Sequence, residues 1–358
     1  MAPRVGILLD PRTLRGIPSN RTAHEKITYY NRAGRVNGVL PFYMSLDLIR
    51  PKQNKAEGYI FSNGYRFVKR SIPKVIHNRS MTFTKLSREK LGFLRKKSTV
   101  FNGQTRYSKY RIHQLLDQNA DIQSHLPYTV LFSKKNLEMM MGRFQHLFIK
   151  PTSGSLGIGV IKIERKDAGW LIHSRKNRTL KSSTKVYPAL RKLIGKASYI
   201  IQKAIPLAKY KGKPFDIRVS VQRGAEGYWQ VTGMVGKVAA KGMHVTNVAG
   251  GGKVIRCEEL FAHAGLPVET TKKAISTLGV QIALHLGHKL SHLADIGLDI
   301  GVDGSGFPYF IEVNGRDLRY SFRNAKLYDN WYKTYENPIL YAKYLYHKQE
   351  AHKKASIN

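Results

Sequence analysis

Two short stretches hold the residues of this chain best suited to chemistry. The first runs from Asp295 to Asp317 and holds five of the 23 acidic residues in a protein with 61 lysines and arginines. Within it, Leu298-Asp299-Ile300-Gly301-Val302 and Tyr309-Phe310-Ile311-Glu312-Val313-Asn314 alternate in polarity on either side of a Gly304-Ser305-Gly306 pivot, which reads as strand, turn, strand. A pivot between Ser305 and Gly306 sets Asp299 directly across from Glu312, and the two-residue period brings Asn314 to the same face. Opposed carboxylates repel unless a cation lies between them. Two carboxylates and an amide oxygen suit a hard, partly hydrated ion shared with phosphate oxygens, which points to Mg²⁺, with Mn²⁺ as an alternative. Asp303 and Asp317 read as turn residues.

The second stretch supplies a phosphate site. Leu147-Phe148-Ile149-Lys150 is an apolar run ending in a lysine, Thr152 to Gly159 is a loop of small residues, and Val160 to Ile163 resumes the apolar alternation. Neither the NTPase phosphate loop nor the dinucleotide fingerprint fits, because both need a helix after the glycines and here a strand follows. The pattern is a hairpin whose tip, with Ser153, Gly154, Ser155 and Gly157, lets backbone N–H groups approach an anion, while Lys150 adds a point charge. An ordinary hairpin turn has the same composition. Ser153 and Ser155 have no base beside them that would make either a nucleophile.

Between the two stretches, Asp216, Arg218 and Ser220 share one face of a strand whose other face is Ile217, Val219 and Val221. An arginine on a rigid strand suits a γ-phosphate or an acyl phosphate. The plain alternative is a surface pair between Asp216 and Arg218.

The two hairpins, in this order and about 150 residues apart, resemble the ATP-grasp family. Lys213-Pro-Phe-Asp216-Ile-Arg218-Val-Ser-Val221 resembles the family's Asp-x-Arg strand, and Met243 to Gly252 resembles its Asn-then-Gly-Gly loop, with Asn247 as the asparagine. Ser108-Lys109 through Leu116, then Leu126-Pro127-Tyr128-Thr129, resembles the opening helix and its first phosphate-binding lysine. Tyr199 to Ile205 is similar to the hinge strand that reads adenine. That would make Gln202, Lys203 and Ile205 nucleotide contacts, with Gln202 where many relatives have Glu. The likeness covers roughly Phe101 to Phe322. It is finest with the YheC/YheD-like branch, the endospore coat-associated proteins, through Phe-Asp-Ile-Arg-Val, Thr-Asn-x-x-x-Gly-Gly and the Phe101-Asn102 lead-in.

The resemblance implies a mixed α/β (α+β) chain. Residues 1–100 would be a small α/β domain, 101–346 an ATP-grasp domain of two α+β subdomains gripping ATP, and 347–358 a basic tail. It also implies an ATP- and Mg²⁺-dependent carboxylate–amine ligase. Asp299, Glu312 and Asn314 would hold the metal, Lys109 and Lys150 the α/β-phosphate region, and Arg218 the transferring group, while Asn247 and Gly250 to Gly252 would line the acceptor side. Gly315-Arg316-Asp317-Leu318-Arg319 departs from the Ser-Pro-Gly that follows Glu-x-Asn in ribosomal-protein glutamate ligases, so their substrate does not transfer.

Composition frames the rest. A chain of 358 residues with 42% hydrophobic content can bury a large core. No 18-residue apolar run or signal-peptide core is present, which points to an intracellular protein, and the resemblance implies the mother-cell cytoplasm and an association with the spore coat. The lone Cys257 reads as a buried, inert thiol. His285, His288 and His292 read as ordinary residues of one helix face. The net charge of +38 exceeds what one nucleotide needs and points to a polyanion, an acidic polypeptide, a coat surface or general solubility. The spacing of Tyr328, Trp331, Tyr332 and Tyr335 favours core packing over stacking on single-stranded nucleic acid. Two other readings stay open: a coat protein that keeps ATP binding without turnover, and a nucleic-acid binder, which the acidic hairpin disfavours.

Overall fold

The computed structural model describes residues 2–154, 157–174, 177–240, 246 and 251–355. Among these residues the chain forms three six-stranded sheets. The first holds β1 (Arg4–Leu8), β2 (Leu40–Arg50), β3 (Lys55–Phe61), β4 (Tyr65–Ser71), β5 (Val75–Asn78) and β6 (Thr99–Phe101), in the order β4-β3-β2-β1-β5-β6. β1 runs parallel to β2 and β5, and β5 to β6, while β3 and β4 add an antiparallel edge. The second sheet holds β7 (Thr129–Leu131), β8 (His146–Pro151), β9 (Ile161–Lys166), β10 (Gly169–His173), β11 (Arg178–Lys181) and β12 (Tyr199–Lys203), in the order β11-β10-β9-β8-β12-β7. The third holds β13 (Lys209–Tyr210), β14 (Lys213–Arg223), β15 (Trp229–Val238), β16 (Lys253–Ile255), β17 (Asp295–Val302) and β18 (Pro308–Asn314). Its path is β16-β15-β14-β17-β18, with β13 on β14.

Both expected hairpins form: β8 pairs with β9 and β17 with β18, each antiparallel. One detail of the acidic hairpin differs from expectation. Its outer half pairs Ile300 with Phe310 and Val302 with Pro308, which centres the turn on Ser305. An irregularity between Asp299 and Ile300 leaves Ile311 as the extra residue, and beyond it Asp299 pairs with Glu312 after all. A bulge of this kind bends the strand and re-aims its side chains. Asp303 is the turn residue expected, its Oδ1 accepting from the backbone N–H groups of Ser305 and Phe307 at 2.9 and 3.0 Å.

The apolar faces set where the polar ones point. Ile217, Val219 and Val221 of β14 pack with Ile296 and Leu298 of β17 against Ile275, Leu278, Ile282 and Leu286 of the helix Val268–Lys289. That leaves the opposite face of both strands to Arg218 and Asp299. His285 is on this helix and bonds the Leu115 carbonyl at 2.8 Å, but the helix ends before His292. His292 sits in a turn at φ +54°, so the three histidines do not share one face. Cys257 is buried, and burial raises its thiol pKa, leaving it inert.

The C-terminal helix, Tyr328–Ala355, is continuous and includes the basic run His347–Lys354. Trp331, Tyr335, Ile339, Tyr341 and Ala342 are buried in one core with Val5, Ile7, Tyr30, Val75 and Phe101 of the first sheet's unit. The interleaved aromatics therefore largely pack inward, although Tyr328 is exposed.

Asn102 ties the first sheet to the acidic hairpin. It sits at φ +54°, a conformation asparagine tolerates better than most residues. Its Oδ1 accepts from the N–H groups of Ala294 and Asp295 at 3.0 and 2.9 Å, and its Nδ2 donates to the carbonyls of Asp295 and Gly315. Asn102→Ala strands two buried donors, so urea unfolding should show a loss of about 2–5 kcal/mol. A loss below about 1 kcal/mol would mean that water replaces the side chain.

Candidate active site

The three sheets meet around a cleft of about 430 Å³. Its floor is the polar face of the third sheet, with Asp216, Arg218, Lys237, Asp299, Glu312 and Asn314. Glycine-loop and hinge residues wall one side, among them Lys150, Gly154, Gly157, Gln202, Lys203 and Ile205. Lys109 enters from the first turn of its helix, whose N-terminus Ser108 caps by accepting from the Arg111 N–H. Ser153 is exposed and does not line the cleft. Ser155, Asn247 and Gly250 lie outside the described residues, while Gly251 and Gly252 are described but absent from the lining.

The opposed carboxylates are held by cations of the protein itself. Arg218 Nε and Nη2 donate to the two oxygens of Asp299 at 2.7 and 3.3 Å, and Nη1 donates to Asp317 Oδ1 at 3.0 Å. Lys237 Nζ lies 3.0 Å from both Asp216 and Asp299. Lys109 Nζ sits 2.5 Å from Glu312 Oε1, and donates to the Gly154 carbonyl at 3.3 Å. Burial by itself would raise the Asp299 carboxyl, but the Arg218 and Lys237 charges hold it well below the usual carboxylate range. Asp216 goes the other way: burial raises it, with Lys237 opposing and the Asp299 charge reinforcing. Arg218 uses three of its five N–H groups, leaving two for a ligand.

One alternative is set aside here and one expectation is corrected. Asp216 does not pair with Arg218, and binds Lys237 and the Thr246 hydroxyl instead, because the neighbouring strand offers a closer cation. Asp317 is no loose turn residue: it is fully buried and accepts from Arg218 and the Ser220 hydroxyl. Glycine at position 297 makes room for it, since a Cβ there would lie 2.4 Å from Asp317 Oδ1. The sequence marks Asp317 only as a turn residue and does not single out Lys237. The one hint for Lys237 is a lysine inside the run Val235-Gly236-Lys237-Val238.

The donor set fits a hard cation. Among the described residues no cluster of three or more His, Cys, Asp or Glu is arranged to hold a metal. The set is instead two carboxylates in register and one amide, and Mg²⁺ commonly completes such a set with water and phosphate. The buried Asn314 Nδ2 has no hydrogen-bond partner among the described residues, and Lys109, Lys237 and Arg218 pair with the two carboxylates.

Comparison with known proteins bears on this site. The family described as YheC/D like ATP-grasp matches residues 97–345. The endospore coat-associated protein YheD of Bacillus subtilis is 28% identical over 252 residues, 68% of this chain and 55% of that protein. The chain thus spans about half the length of YheD. The endospore coat-associated protein YheC of Bacillus subtilis is 21% identical over 320 residues, 86% of this chain and 87% of that one. Among solved structures, the VanG D-Ala:D-Ser ligase of Enterococcus faecalis has a TM-score of 0.53 at 15% identity, covering 94% of this chain and 98% of the ligase. The ATP-grasp ligase PsnB, solved with a minimal precursor, Mg and ADP, has a TM-score of 0.52 at 13% identity, covering 93% and 98%. Likeness at that identity speaks for the fold. No helix among the described residues is long and apolar enough to cross a membrane.

Lys150 is the site's titration probe. Its Nζ donates to Gln202 Oε1 at 2.6 Å, and Gln202 Nε2 donates to Thr129 Oγ1 at 2.9 Å, which fixes the lysine at the strand end. Burial lowers its pKa to about 8, with Lys109 adding to the effect and Glu312 opposing it. The folded value lies below the unfolded one of about 10.4, so the unfolded chain binds the extra proton between them and stability should rise with pH from about 8 to about 10. With ¹³C-dimethylated lysines, the resonance that disappears in Lys150→Arg should titrate with a midpoint at about 8.

Proposed function

The chain belongs to the YheC/D-like ATP-grasp family, and on that premise we propose that it is an ATP- and Mg²⁺-dependent carboxylate–amine ligase working through an acyl phosphate. The observation that carries this is the pairing of Asp299 with Glu312 opposite Lys109 and Lys150 in one cleft. Asp299, Glu312 and Asn314 would hold Mg²⁺, which when bound neutralises phosphate charge. Lys109 and Lys150 bind the α/β-phosphate region, and the loop from Thr152 to Gly159, with Gly154 and Gly157 in the cleft wall, covers the nucleotide and excludes water. Gln202, Lys203 and Ile205 line the adenine side, where Gln202 is held by Thr129 and Lys150.

In the first step a substrate carboxylate oxygen attacks the γ-phosphorus, and the bond from that phosphorus to the β-bridging oxygen breaks, giving acyl phosphate and ADP. In the second, an amine attacks the acyl carbon and the carbon–oxygen bond to phosphate breaks. Amide and phosphate form, and the amine proton passes to solvent. Arg218 presents its two remaining N–H groups to the charge on the transferring group, preorganised by Asp299 and Asp317. Alignment of the reactants supplies about 7–11 kcal/mol of barrier lowering. The names of the curated relatives support a place at the spore coat, and synthesis in the mother-cell cytoplasm is part of the same proposal.

Calorimetry and ADP release should test this together. Wild type is expected to bind ATP with Mg²⁺ and not with EDTA, Lys150→Ala to bind at least about tenfold more weakly, and Glu312→Ala to lose metal dependence. ADP release that needs both an added pool of acids and amines and an intact Glu312 establishes ligation. Mg²⁺-dependent binding without release in any pool favours the coat protein that keeps its nucleotide site. Absence of ATP binding overturns both.

A further inference from the structure

The glycine loop and hinge account for one end of the cleft only. The other end is walled by His24, Met81, Arg106, Arg316 and Tyr320, from loops of the first sheet and the segment after β18. In the first sheet the chain steps from β1 to β2 on one side and returns as β5 on the other. The carboxyl ends of β1 and β5 therefore flank the point where the strand order reverses, the crevice at which open α/β sheets take ligands. Asp10 follows β1, and Ser80 and Met81 follow β5. Asp10 Oδ1 accepts from the Met81 N–H at 2.8 Å and the Ser80 hydroxyl at 3.2 Å, while Oδ2 accepts from Arg316 Nη1 at 2.6 Å.

Asp10 is thereby occupied, and it tethers Arg316 through one nitrogen. Arg316 Nε is buried with no hydrogen-bond partner, and Nη2 has none among the described residues. A guanidinium held in this way keeps an edge for a bidentate carboxylate, and a stranded buried donor carries a desolvation cost that an acceptor would relieve. Arg106 is exposed, lies 5.8 Å over the Phe83 ring, and has no carboxylate within ion-pair distance among the described residues. This end of the cleft thus sets two guanidinium groups beside two carboxylates that are already engaged, Asp10 by Ser80, Met81 and Arg316 and Glu25 by Arg79, although the Arg316 charge also lowers the Glu25 pKa.

We propose that this end seats the acid substrate, and that the acid carries a second carboxylate, held by Arg316 and Arg106, besides the one that reacts. The inference rests on the ligase reading above. A carboxylate clamped between guanidinium groups is a poor nucleophile, so these arginines suit the anchoring group, while the reacting carboxylate lies toward Arg218 and the acidic hairpin. The acid is either a free polycarboxylate or an acidic polypeptide, and the net charge of +38 concentrates both near the surface.

Calorimetry on protein saturated with Mg²⁺ and a non-hydrolysable ATP analogue tests this with three probes: tricarballylate, N-acetyl-tetraglutamate and the monocarboxylate butyrate. One or both polyanions should bind, with butyrate at least about tenfold weaker. Arg316→Ala and Arg106→Ala should each weaken polyanion binding by about 10–100-fold, while affinity for the ATP analogue stays within about twofold. Preference for tricarballylate identifies a free acid, and preference for the peptide an acidic polypeptide. Arg106 is exposed, so its variant keeps the test decisive should Arg316→Ala fail to fold. Binding of neither polyanion, or binding indifferent to both substitutions, overturns the proposal. Failure of wild type to bind the ATP analogue overturns the ligase reading and this proposal with it, whereas nucleotide binding without polyanion binding overturns this proposal alone.

Discussion

Asp299 and Glu312 face each other across a β-ladder, and like charges in that register push the strands apart unless cations hold them. Much of the surrounding architecture answers that constraint. β14 lies beside β17 and presents Arg218 to Asp299, β15 presents Lys237 to Asp299 and Asp216, and the helix after Ser108 brings Lys109 to Glu312. Lys109 also reaches the Gly154 carbonyl, and its backbone N–H donates to the Thr152 carbonyl at 2.8 Å. The residue that neutralises Glu312 therefore also fixes the base of the glycine loop.

A second set of buried charges holds the first and third sheets in register. Asp295 meets Arg319, Arg79 at 3.6 Å and His77 at 3.2 Å, and Arg79 continues to Glu25 at 2.7 Å. Burial and the facing arginines lower the His77 pKa to about 4 against the pull of Asp295, so it is neutral near pH 7. Arg79 Nη2 also donates to the Asp317 carbonyl at 2.7 Å. A continuous path of bonds thus leads from Glu25 through Arg79 and Asp317 to Arg218. Buried ion pairs contribute little net stability, and the better-attested use of such a network is to fix one arrangement of the parts.

The sequence reveals local order well and distant partners poorly. Alternation alone gives both hairpins and the Arg218 face of β14, because a strand's two-residue period is written in consecutive residues. The placement of Asp299 opposite Glu312 holds, although the turn centres one half-step away, since the bulge at Ile311 compensates for the shift. Lys237, Asp317 and the Asp10–Arg316 pair were not legible. Each meets its partner across 21 to 306 residues of chain, and no local pattern records which strand will lie alongside. Asp317 looks like a turn residue because its neighbours are Gly315 and Arg316, and only the contact over Gly297 gives it a buried role.

The cost of this arrangement bears on whether the site works or merely survives. Asp216, Asp299, Asp317 and Lys237 are buried or nearly so, and each charge taken from water carries a desolvation penalty that pairing only partly offsets. Apolar residues of similar volume at the same positions would be neutral or stabilising by about 1–4 kcal/mol. They would also remove the repulsion that Arg218, Lys237 and Lys109 balance. A chain that needed only the shape of this fold would be at least as stable without those charges. Their presence together, at the floor of a cleft that also receives Lys150 and the glycine loop, supports the proposal that this cleft handles phosphate charge.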